Sequence, residues 1–379
     1  MPILAHKIEL IPNQQQASFF FQCAGAARYF WNRSLASWKT QYEAGEKVND
    51  NALRKQITVD RNVDESLAWS NELPSAVIAN SVRNLGVAFK NFFSNLKKGK
   101  NNTYPNFKSR HKSKPTFNPW DGGRLKLDDK KVWIPNLGWV RMRESLRFAG
   151  RLISGAISYK AGKWWVSITV ETETPEKVRT GDAKVGLDFG CKDMVVTSEN
   201  EVIPGPKPMK KLMTKLQRKS RQLSRKLKGS NNRAKAKLVV SKLHNRISNI
   251  RDAFQHELTT RLVLSHSAIA IEDLNVNGMI GMQSLRRSLA DQRLSTLRYM
   301  LDYKSKLYGT LLHVVDRFFP SSKTCSNCGN VKDSLPLTER VYDCECCGAS
   351  IGRDHNAAIN LMKQIPVLDR ELMLMETSQ

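Results

Sequence analysis

Long apolar runs are missing from this chain of 379 residues: nothing in it approaches the roughly 18 consecutive apolar residues of a membrane-spanning helix. The opening segment MPILAHKIELIPNQQQ lacks the apolar core of a secretion signal, so an intracellular, cytoplasmic protein is expected. Acid is also scarce, with 35 Asp and Glu against 61 Lys and Arg, a formal charge of +26. Between Val202 and Arg251 there are sixteen Lys and Arg and no acid at all. Such an excess exceeds what solubility needs and points to a polyanion, with nucleic acid favoured over a membrane surface. Cysteine is sparse at seven, and four of the seven stand in one spaced cluster, which argues for a metal rather than a disulfide framework. Repeats and low-complexity tracts do not stand out.

What is present is ordinary globular material. A hydrophobic content of 40% excludes wholesale disorder, and the length allows two or three domains with sizeable cores. AHKIELIPN alternates as a short strand ending at Pro12, and helical periodicity follows through QQQASFFFQCAGAARYFWNRSLASWKTQYEAG. A second helix is expected after Pro74, with Ile78, Val82, Leu85, Phe89, Phe92 and Leu96 on its apolar stripe. Arg83, Lys90 and Lys97 recur every seven residues on another face, near Asn80, Asn84, Asn91 and Asn95, either as a solvated face or as a stripe toward a nucleic-acid groove. A basic loop with Lys108 and Arg110 leads into β-type segments, with a hairpin expected at Ala161-Gly162. TPEKVRTGDA has the composition of a linker. The acid-free stretch keeps apolar residues at helical spacing: Leu212, Leu216, Leu223, Leu227, Leu238, Leu243, Ile247 and Ile250. KGSNN breaks it into two helices of a hairpin packed on one side. The other face, with Arg218, Lys219, Arg225, Lys226, Lys228 and Arg233, has no acid to neutralise it and is expected beside phosphate.

Two donor sets carry the chemistry. Cys325, Cys328, Cys344 and Cys347 form two CxxC knuckles separated by fifteen residues, suited to a zinc ribbon in which tetrahedral Zn²⁺ supplies the folding free energy. Four thiolates leave no open position for water, so this zinc is structural. Cys346 is a spare neighbour. The second set is made of acids: Asp188 ends the apolar strand KVGLD, Glu272 ends SAIAIED, and Asp354 opens the helix RDHNAAINLM. Each alone reads as the exposed tip of an element. Together they match a hard-ion site for two Mg²⁺ about 3.5–4 Å apart, the arrangement that hydrolyses phosphodiesters.

In that order, VGLDFGCKD, AIEDL and GRDHNAAIN resemble the three RuvC motifs of an RNase H-like nuclease. With the ribbon between the second and third motifs and SRKLKGSNNRAKAK ahead of the second, the chain resembles TnpB, the RNA-guided nuclease family of insertion sequences related to type V CRISPR effectors. KIELIPNQQQ, ARYFWNRSL, NSVRNL, AFKNFF and YPNFKSR extend the likeness over nearly the whole chain. The resemblance implies an α/β multidomain protein: an RNase H-like (RuvC) domain with inserted zinc ribbon, a β-barrel-like wedge domain and a helical recognition lobe. The implied boundaries are 1–11 for the first wedge strand, 12–112 for the recognition lobe and 113–180 for the wedge. RuvC follows over 181–318 with the basic hairpin at 207–262, then the ribbon over 319–350, and motif III with the tail over 351–379. It implies Asp188, Glu272 and Asp354 as catalytic Mg²⁺ ligands, with Arg353 beside them holding substrate phosphate. It implies a guide RNA from the transposon right end, a double-stranded DNA target with a short adjacent motif, and a bacterial or archaeal, nucleoid-associated setting. No membrane and no obligatory small-molecule substrate are expected. Motif reading would fall around Pro74–Asn84 and Thr116–Asp121. Cys191 and the knuckle CECCG depart from the family's usual residues without touching a ligand. Three rival readings stand beside it: a catalytically silent RNA-guided regulator, a compact CRISPR-associated effector, and a transposase that joins DNA ends.

Overall fold

The computed structural model describes residues 2–100, 103–122, 124–172, 180–281, 286–336 and 338–366, so most of the linker segment and the tail after 366 lie outside the described residues. The chain divides into two compact units, Met1–Glu173 and Thr174–Gln379. Among the described residues no helix is long and apolar enough to cross a membrane.

The first unit opens with β1 (Ile3–Ile11), and Pro12 ends it because proline cannot donate to a ladder. Asn13 then caps α1 (Gln14–Glu43) through a reciprocal box with Gln16. α2 (Asp50–Val63) and a 3₁₀ segment (Glu65–Glu72) lead to α3 (Ser75–Lys97), which starts directly after Pro74. The expected stripe of α3 is buried at Ile78, Val82, Leu85 and Phe89. It ends sooner than the periodicity suggests: Phe92 packs on Tyr104 with ring centroids 5.4 Å apart, whereas Leu96, one turn further, is 61% exposed because the helix has outrun its neighbours. Asn80 also departs from the polar face expected for it. It is buried, donating from Nδ2 to the carbonyls of Asn118 (3.2 Å) and Trp120 (2.8 Å).

These helices lie with a seven-stranded antiparallel sheet made by β1, β2 (Thr116–Phe117), β3 (Lys126–Asp128), β4 (Lys131–Ile134), β5 (Gly138–Met142), β6 (Arg151–Lys160) and β7 (Lys163–Glu171). Its order is β2-β6-β7-β1-β5-β4-β3. The expected hairpin joins β6 to β7: Ala161 (φ 53°) and Gly162 (φ 85°) both take the left-handed conformation that a tight two-residue turn requires. Phe20 of α1 meets Trp164 of β7 edge-on at 5.1 Å, and Trp38 stacks on Phe89 at 4.2 Å, so helices and sheet share one core.

The second unit is built on β8 (Lys184–Asp188), β9 (Val195–Thr197), β10 (Val202–Ile203), β11 (Ala268–Glu272) and β12 (Leu311–Val315), in the order β10-β9-β8-β11-β12. β8, β11 and β12 run parallel; β9 and β10 turn back antiparallel. Both faces are covered, which is why β8 and β11 read as near-continuous apolar runs. Between β10 and β11 come α4 (Pro208–Ser224) and α5 (Asn231–Ser265), the basic hairpin; between β11 and β12 come α6 (Val276–Gly281), α7 (Arg286–Gln292) and α8 (Leu294–Tyr308). Val185, Leu187, Ile269 and Ile271 pack with Leu258 and Leu262 of α5 and Leu297 and Leu301 of α8. β13 (Val341–Asp343) and β14 (Ser350–Gly352) form a separate two-stranded ribbon, and α9 (Arg353–Lys363) follows without a gap.

Within the hairpin, Leu216, Leu243 and Ile247 form a small core of their own. Leu227, expected on the packed stripe, is instead 79% exposed, because it falls in the turn where the two helices diverge. Ser230 caps α5, accepting from the Arg233 backbone N–H at 3.2 Å.

Candidate functional site

The three acids come from three different elements. Ladder register pairs Leu187 of β8 with Ile271 of β11, so Asp188 and Glu272 end adjacent parallel strands at the same, carboxyl-terminal edge. Asp354 lies in the first turn of α9. α9 rests on the face bearing Gly186, Ala268 and Ala270, with Leu361 and Ile365 in the same core. The contact at Gly186 is backbone to backbone: a Cβ there would stand 1.9 Å from the carbonyl oxygen of Ala358. Only glycine lets α9 lie this close to β8, and that approach carries Asp354 toward Asp188.

Asp188 is half-buried, and its carboxyl is pushed up to about 7 by desolvation and then by the charges of Asp354 and Glu272, against the opposing influence of Arg353. Glu272 is also raised, by desolvation and by Asp273. The charges of Asp354 and Glu272 bear on Asp188, and among the described residues no lysine or arginine forms an ion pair with any of the three. Such a set of hard oxygen donors fits Mg²⁺. The three do not crowd one point: among the described residues, only the four cysteines form a group of ligand atoms all within 4.8 Å of one another. Divalent ions at this edge would be held by carboxylate oxygens of Asp188, Glu272 and Asp354 and would supply Lewis-acid chemistry there.

The thiol set is tighter. Cys325 Sγ lies 3.7 Å from Cys347 Sγ, and Cys328 Sγ 3.6 Å from Cys344 Sγ. Sulfurs at the corners of a tetrahedron about 2.3 Å from a central ion are roughly 3.8 Å apart, so the four fit Zn²⁺. The side-chain amide of Asn327 donates to Cys347 Sγ (3.5 Å) and, with the Ala349 N–H, brings that thiol down to about 6, favouring the thiolate a metal needs. Cys346 is exposed and outside the group, as its spacing suggested.

Two buried asparagines one turn apart tie the ribbon to α9. Asn356 accepts from the Ser326 N–H (2.8 Å) and donates to the Thr324 carbonyl (2.7 Å). Asn360 donates to the carbonyls of Ser321 (2.8 Å) and Thr324 (2.6 Å). The ribbon therefore grips the helix whose first turn bears Asp354. Arg353, between strand and acid, gives its backbone N–H to Arg340 O (2.9 Å) and Nη1 to Pro336 O (3.0 Å) while remaining near enough to influence Asp188.

The cations singled out from sequence fall into two groups. Lys90, Lys97, Arg110, Arg218, Arg225, Lys226 and Lys228 are exposed, and half-buried Lys219 reaches Gln222 at 3.1 Å. Others have local partners. Arg83 donates to Asn80 Oδ1 (2.6 Å) and approaches Asp121 at 3.8 Å. Lys108 sits over the Trp31 ring, 3.3 Å from its centroid, and desolvation lowers its ammonium to about 8. Arg233 spends Nη1 on the carbonyls of Leu223 and Lys226, closing the end of α4.

Two polar clusters escaped the sequence reading. Buried Asp291 accepts from the N–H groups of Met209 and Lys210 and pairs with Arg251 at 2.5 Å, anchoring the base of the basic hairpin. Asp273, next to Glu272, pairs with both Arg298 and Arg317. The only hint in the sequence was a second acid following Glu272; its partners are far away along the chain.

Comparison with known proteins agrees with this architecture. Residues 167–283 match the IS605 OrfB family, described as "Probable transposase"; residues 295–361 match "Cas12f1-like, TNB domain"; residues 1–47 match that OrfB family's "Helix-turn-helix domain". In this chain the last region is a strand followed by one continuous helix, α1. A Streptomyces pristinaespiralis protein named "Putative RNA-guided DNA endonuclease" is 35% identical over 94% of this chain and 88% of its own length. "Putative RNA-guided DNA endonuclease InsQ" of Escherichia coli K12 is 32% identical over 94% of this chain and 91% of its own. Among solved structures, the "Cryo-EM structure of the Cas12f1-sgRNA-target DNA complex" superposes with a TM-score of 0.59 at 15% identity, covering 93% of this chain and 83% of that one; this likeness is one of fold. The class is thus an α/β multidomain protein of the Cas12f-like fold with a four-cysteine cluster of a geometry that fits a metal ion. The chain belongs to the TnpB family, the OrfB proteins of IS605-type insertion sequences.

Proposed function

We propose that this protein is an RNA-guided DNA endonuclease that cuts double-stranded DNA at a Mg²⁺-dependent RuvC-type centre formed by Asp188, Glu272 and Asp354. The observation that carries the reading is that Asp188 and Glu272 end adjacent parallel strands at one edge while Asp354 comes near enough for its charge to help burial raise Asp188 to about 7. Divalent ions held by these residues would supply an activated water and stabilise charge on the departing 3′ oxygen. The chain's own part is to hold its donors in place: β8 and β11 fix Asp188 and Glu272, while α9, seated on Gly186 and gripped by the ribbon, brings Asp354. Arg353 is near enough to influence Asp188, and on this reading it would hold a passing substrate phosphate.

Zn²⁺ at Cys325, Cys328, Cys344 and Cys347 holds the ribbon together and takes no part in hydrolysis, since four thiolates leave no free position. The exposed cations of α4 and α5 suit a guide RNA, recognised by phosphate and A-form shape while pairing selects the target. On this reading the guide derives from the transposon right end, residues 12–112 are the recognition lobe, and 1–11 with 113–180 form a barrel-like wedge. The adjacent DNA motif would be read around Pro74–Asn84 and Thr116–Asp121.

The test is Asp188→Ala in the purified ribonucleoprotein. Cutting of matched double-stranded DNA in Mg²⁺ should fall by about 10³-fold or more, the scale on which ion-held nucleophiles matter, while target binding by gel shift stays within about twofold. Undiminished cutting by the variant removes Asp188 from the centre.

A further inference from the structure

The turn that follows Asp188 is held from outside the sheet at two successive carbonyls. It runs from Phe189 to Met194, between β8 and β9, and Cys191 stands three residues past the acid. Gln292, the last residue of α7, donates from Nε2 to the Cys191 carbonyl (3.3 Å). Lys207, the residue before α4, gives its ammonium to the next carbonyl, that of Lys192. Gly205, on the approach to α4, makes room for Gln292: a Cβ there would stand 2.0 Å from its Oε1. Gln292 is fully buried, and its backbone carbonyl accepts from Gln255 Nε2 of α5 at 2.7 Å.

Asp291, one residue earlier, ties the same segment to the basic hairpin. Lys207 takes the left-handed conformation (φ 45°) and supplies no side-chain cap. The first amides of α4 depend instead on Asp291, which accepts from Met209 (3.0 Å) and Lys210 (3.1 Å). It also takes the Arg251 guanidinium of α5 at 2.5 Å. One buried carboxylate thus holds the positive end of α4 and a cation of α5 together. Beyond this clasp the two helices meet in the small core of Leu216, Leu243 and Ile247. Their exposed cations, Lys210, Lys211, Lys215, Lys242 and Arg246 among others, carry like charge with no acid between Val202 and Arg251 to offset it. A polyanion laid along them removes that repulsion and changes the load on the clasp.

We propose that Asp291 and Gln292 are positioning residues that carry the binding of RNA on α4 and α5 to the turn after Asp188, so that the acid centre is set when the hairpin is loaded. The inference rests on the endonuclease reading, to which it adds the link between guide and centre. The route is short and lies wholly within the second unit: helix amides to Asp291, one peptide bond to Gln292, one amide hydrogen bond to Cys191. Lys207 to Lys192 runs beside it as a second strut. Plain packing would be met at position 291 by an apolar side chain, as it is on the same helix by Leu289. A buried carboxylate costs desolvation and responds to the charges around it.

The experiment uses the full-length, zinc-loaded chain stripped of nucleic acid in high salt, with the RNA that co-purifies with it added back. Hydrogen exchange of the amides from Gly190 to Met194 is measured with and without that RNA, in the absence of DNA. In the wild type the RNA should slow exchange there about fivefold or more, the low end of ordinary coupling between two sites. Gly205→Ala and Gln292→Ala break the hold on Cys191 without altering a charge. Both should bind RNA within about twofold of the wild type yet lose most of the slowing. Asp291→Asn should lose it as well. Should that variant fail to fold, Gly205→Ala keeps the test decisive, because its methyl meets the end of a flexible side chain. A residue serving packing alone would lower stability with and without RNA and leave the slowing intact. If the wild-type turn exchanges equally in both states, or the RNA-bound Gly205→Ala and Gln292→Ala slow as the wild type does, the proposal is overturned. The endonuclease reading, tested by Asp188→Ala, then still stands. If the slowing is present in the wild type and lost in the variants, yet no form ever cuts DNA in Mg²⁺, the link stands and the endonuclease reading fails.

Discussion

The two donor clusters of the second unit are opposites. The four thiols come from one short stretch, Cys325 to Cys347, and their sulfurs already stand at tetrahedral spacing. The three acids are Asp188, Glu272 and Asp354, far apart in sequence, and the charges of the other two push Asp188 up without the set closing on a common point. A closed cluster suits an ion that stays, whereas a strained and open one suits ions that must also admit water and substrate. The two are nevertheless coupled, because Asn356 and Asn360 fasten the thiol ribbon to the helix that delivers Asp354. What separates them chemically is therefore not matched by mechanical independence.

The comparison is broken most severely at the thiols. Cys344→Ser should abolish zinc retention and unfold the ribbon, since such modules draw about 10 kcal/mol or more from the metal. Hydrogen exchange of the α9 amides from Asn356 to Asn360 should then quicken, and cutting should be lost although no acid has changed. Unaltered α9 protection would mean that the clusters are independent. Gly186→Ala attacks the acid cluster from beneath. Its methyl meets the Ala358 carbonyl, so a loss of about 1–3 kcal/mol in denaturant unfolding is expected, with a larger proportional loss of cutting as α9 is lifted off β8. A variant destabilised without extra loss of activity would show that the close approach serves packing alone.

Asn360→Ala sharpens the coupling itself. It leaves the Ser321 and Thr324 carbonyls without this donor, a cost of about 1–3 kcal/mol, and should slow cutting while zinc content stays whole. The remaining effect is one of pH. Asp188 is raised from 3.8 to about 7, so its ionisation opposes the fold. Protein freed of Mg²⁺ but retaining zinc should lose stability as pH climbs from about 4 to about 7 and show no further loss from this group above that. Asp188→Asn should flatten that slope, as should saturating Mg²⁺. Melting temperatures across that range, with and without Mg²⁺, measure it; a slope identical in the variant assigns it to other groups.

Several features were legible because their cause is local. Strand β1 ends where Pro12 must end it, α3 begins after Pro74, and the β6–β7 turn sits where Ala161-Gly162 predicts it. The grouping of the ribbon's four cysteines followed from spacing within one segment. Features that depend on what packs nearby were less legible: Leu96 and Leu227 keep the right period yet face solvent, and Asn80 looks polar yet is buried against two carbonyls. Lys108 and Arg233 read as free cations, but one ammonium covers Trp31 and one guanidinium closes α4.

By itself the sequence determined which side chains exist and which local elements hold them: an acid at the end of each of two apolar strands, another opening a helix, and four cysteines in two knuckles. The tertiary structure alone decided that Asp188 and Glu272 share an edge, that Gly186 admits α9, and that Asn356 and Asn360 join the ribbon to that helix. The physical reason is range: turn chemistry, capping and knuckle spacing act over a few residues. Charge repulsion, backbone approach and buried hydrogen bonds between distant segments exist only after the sheet has brought those segments together.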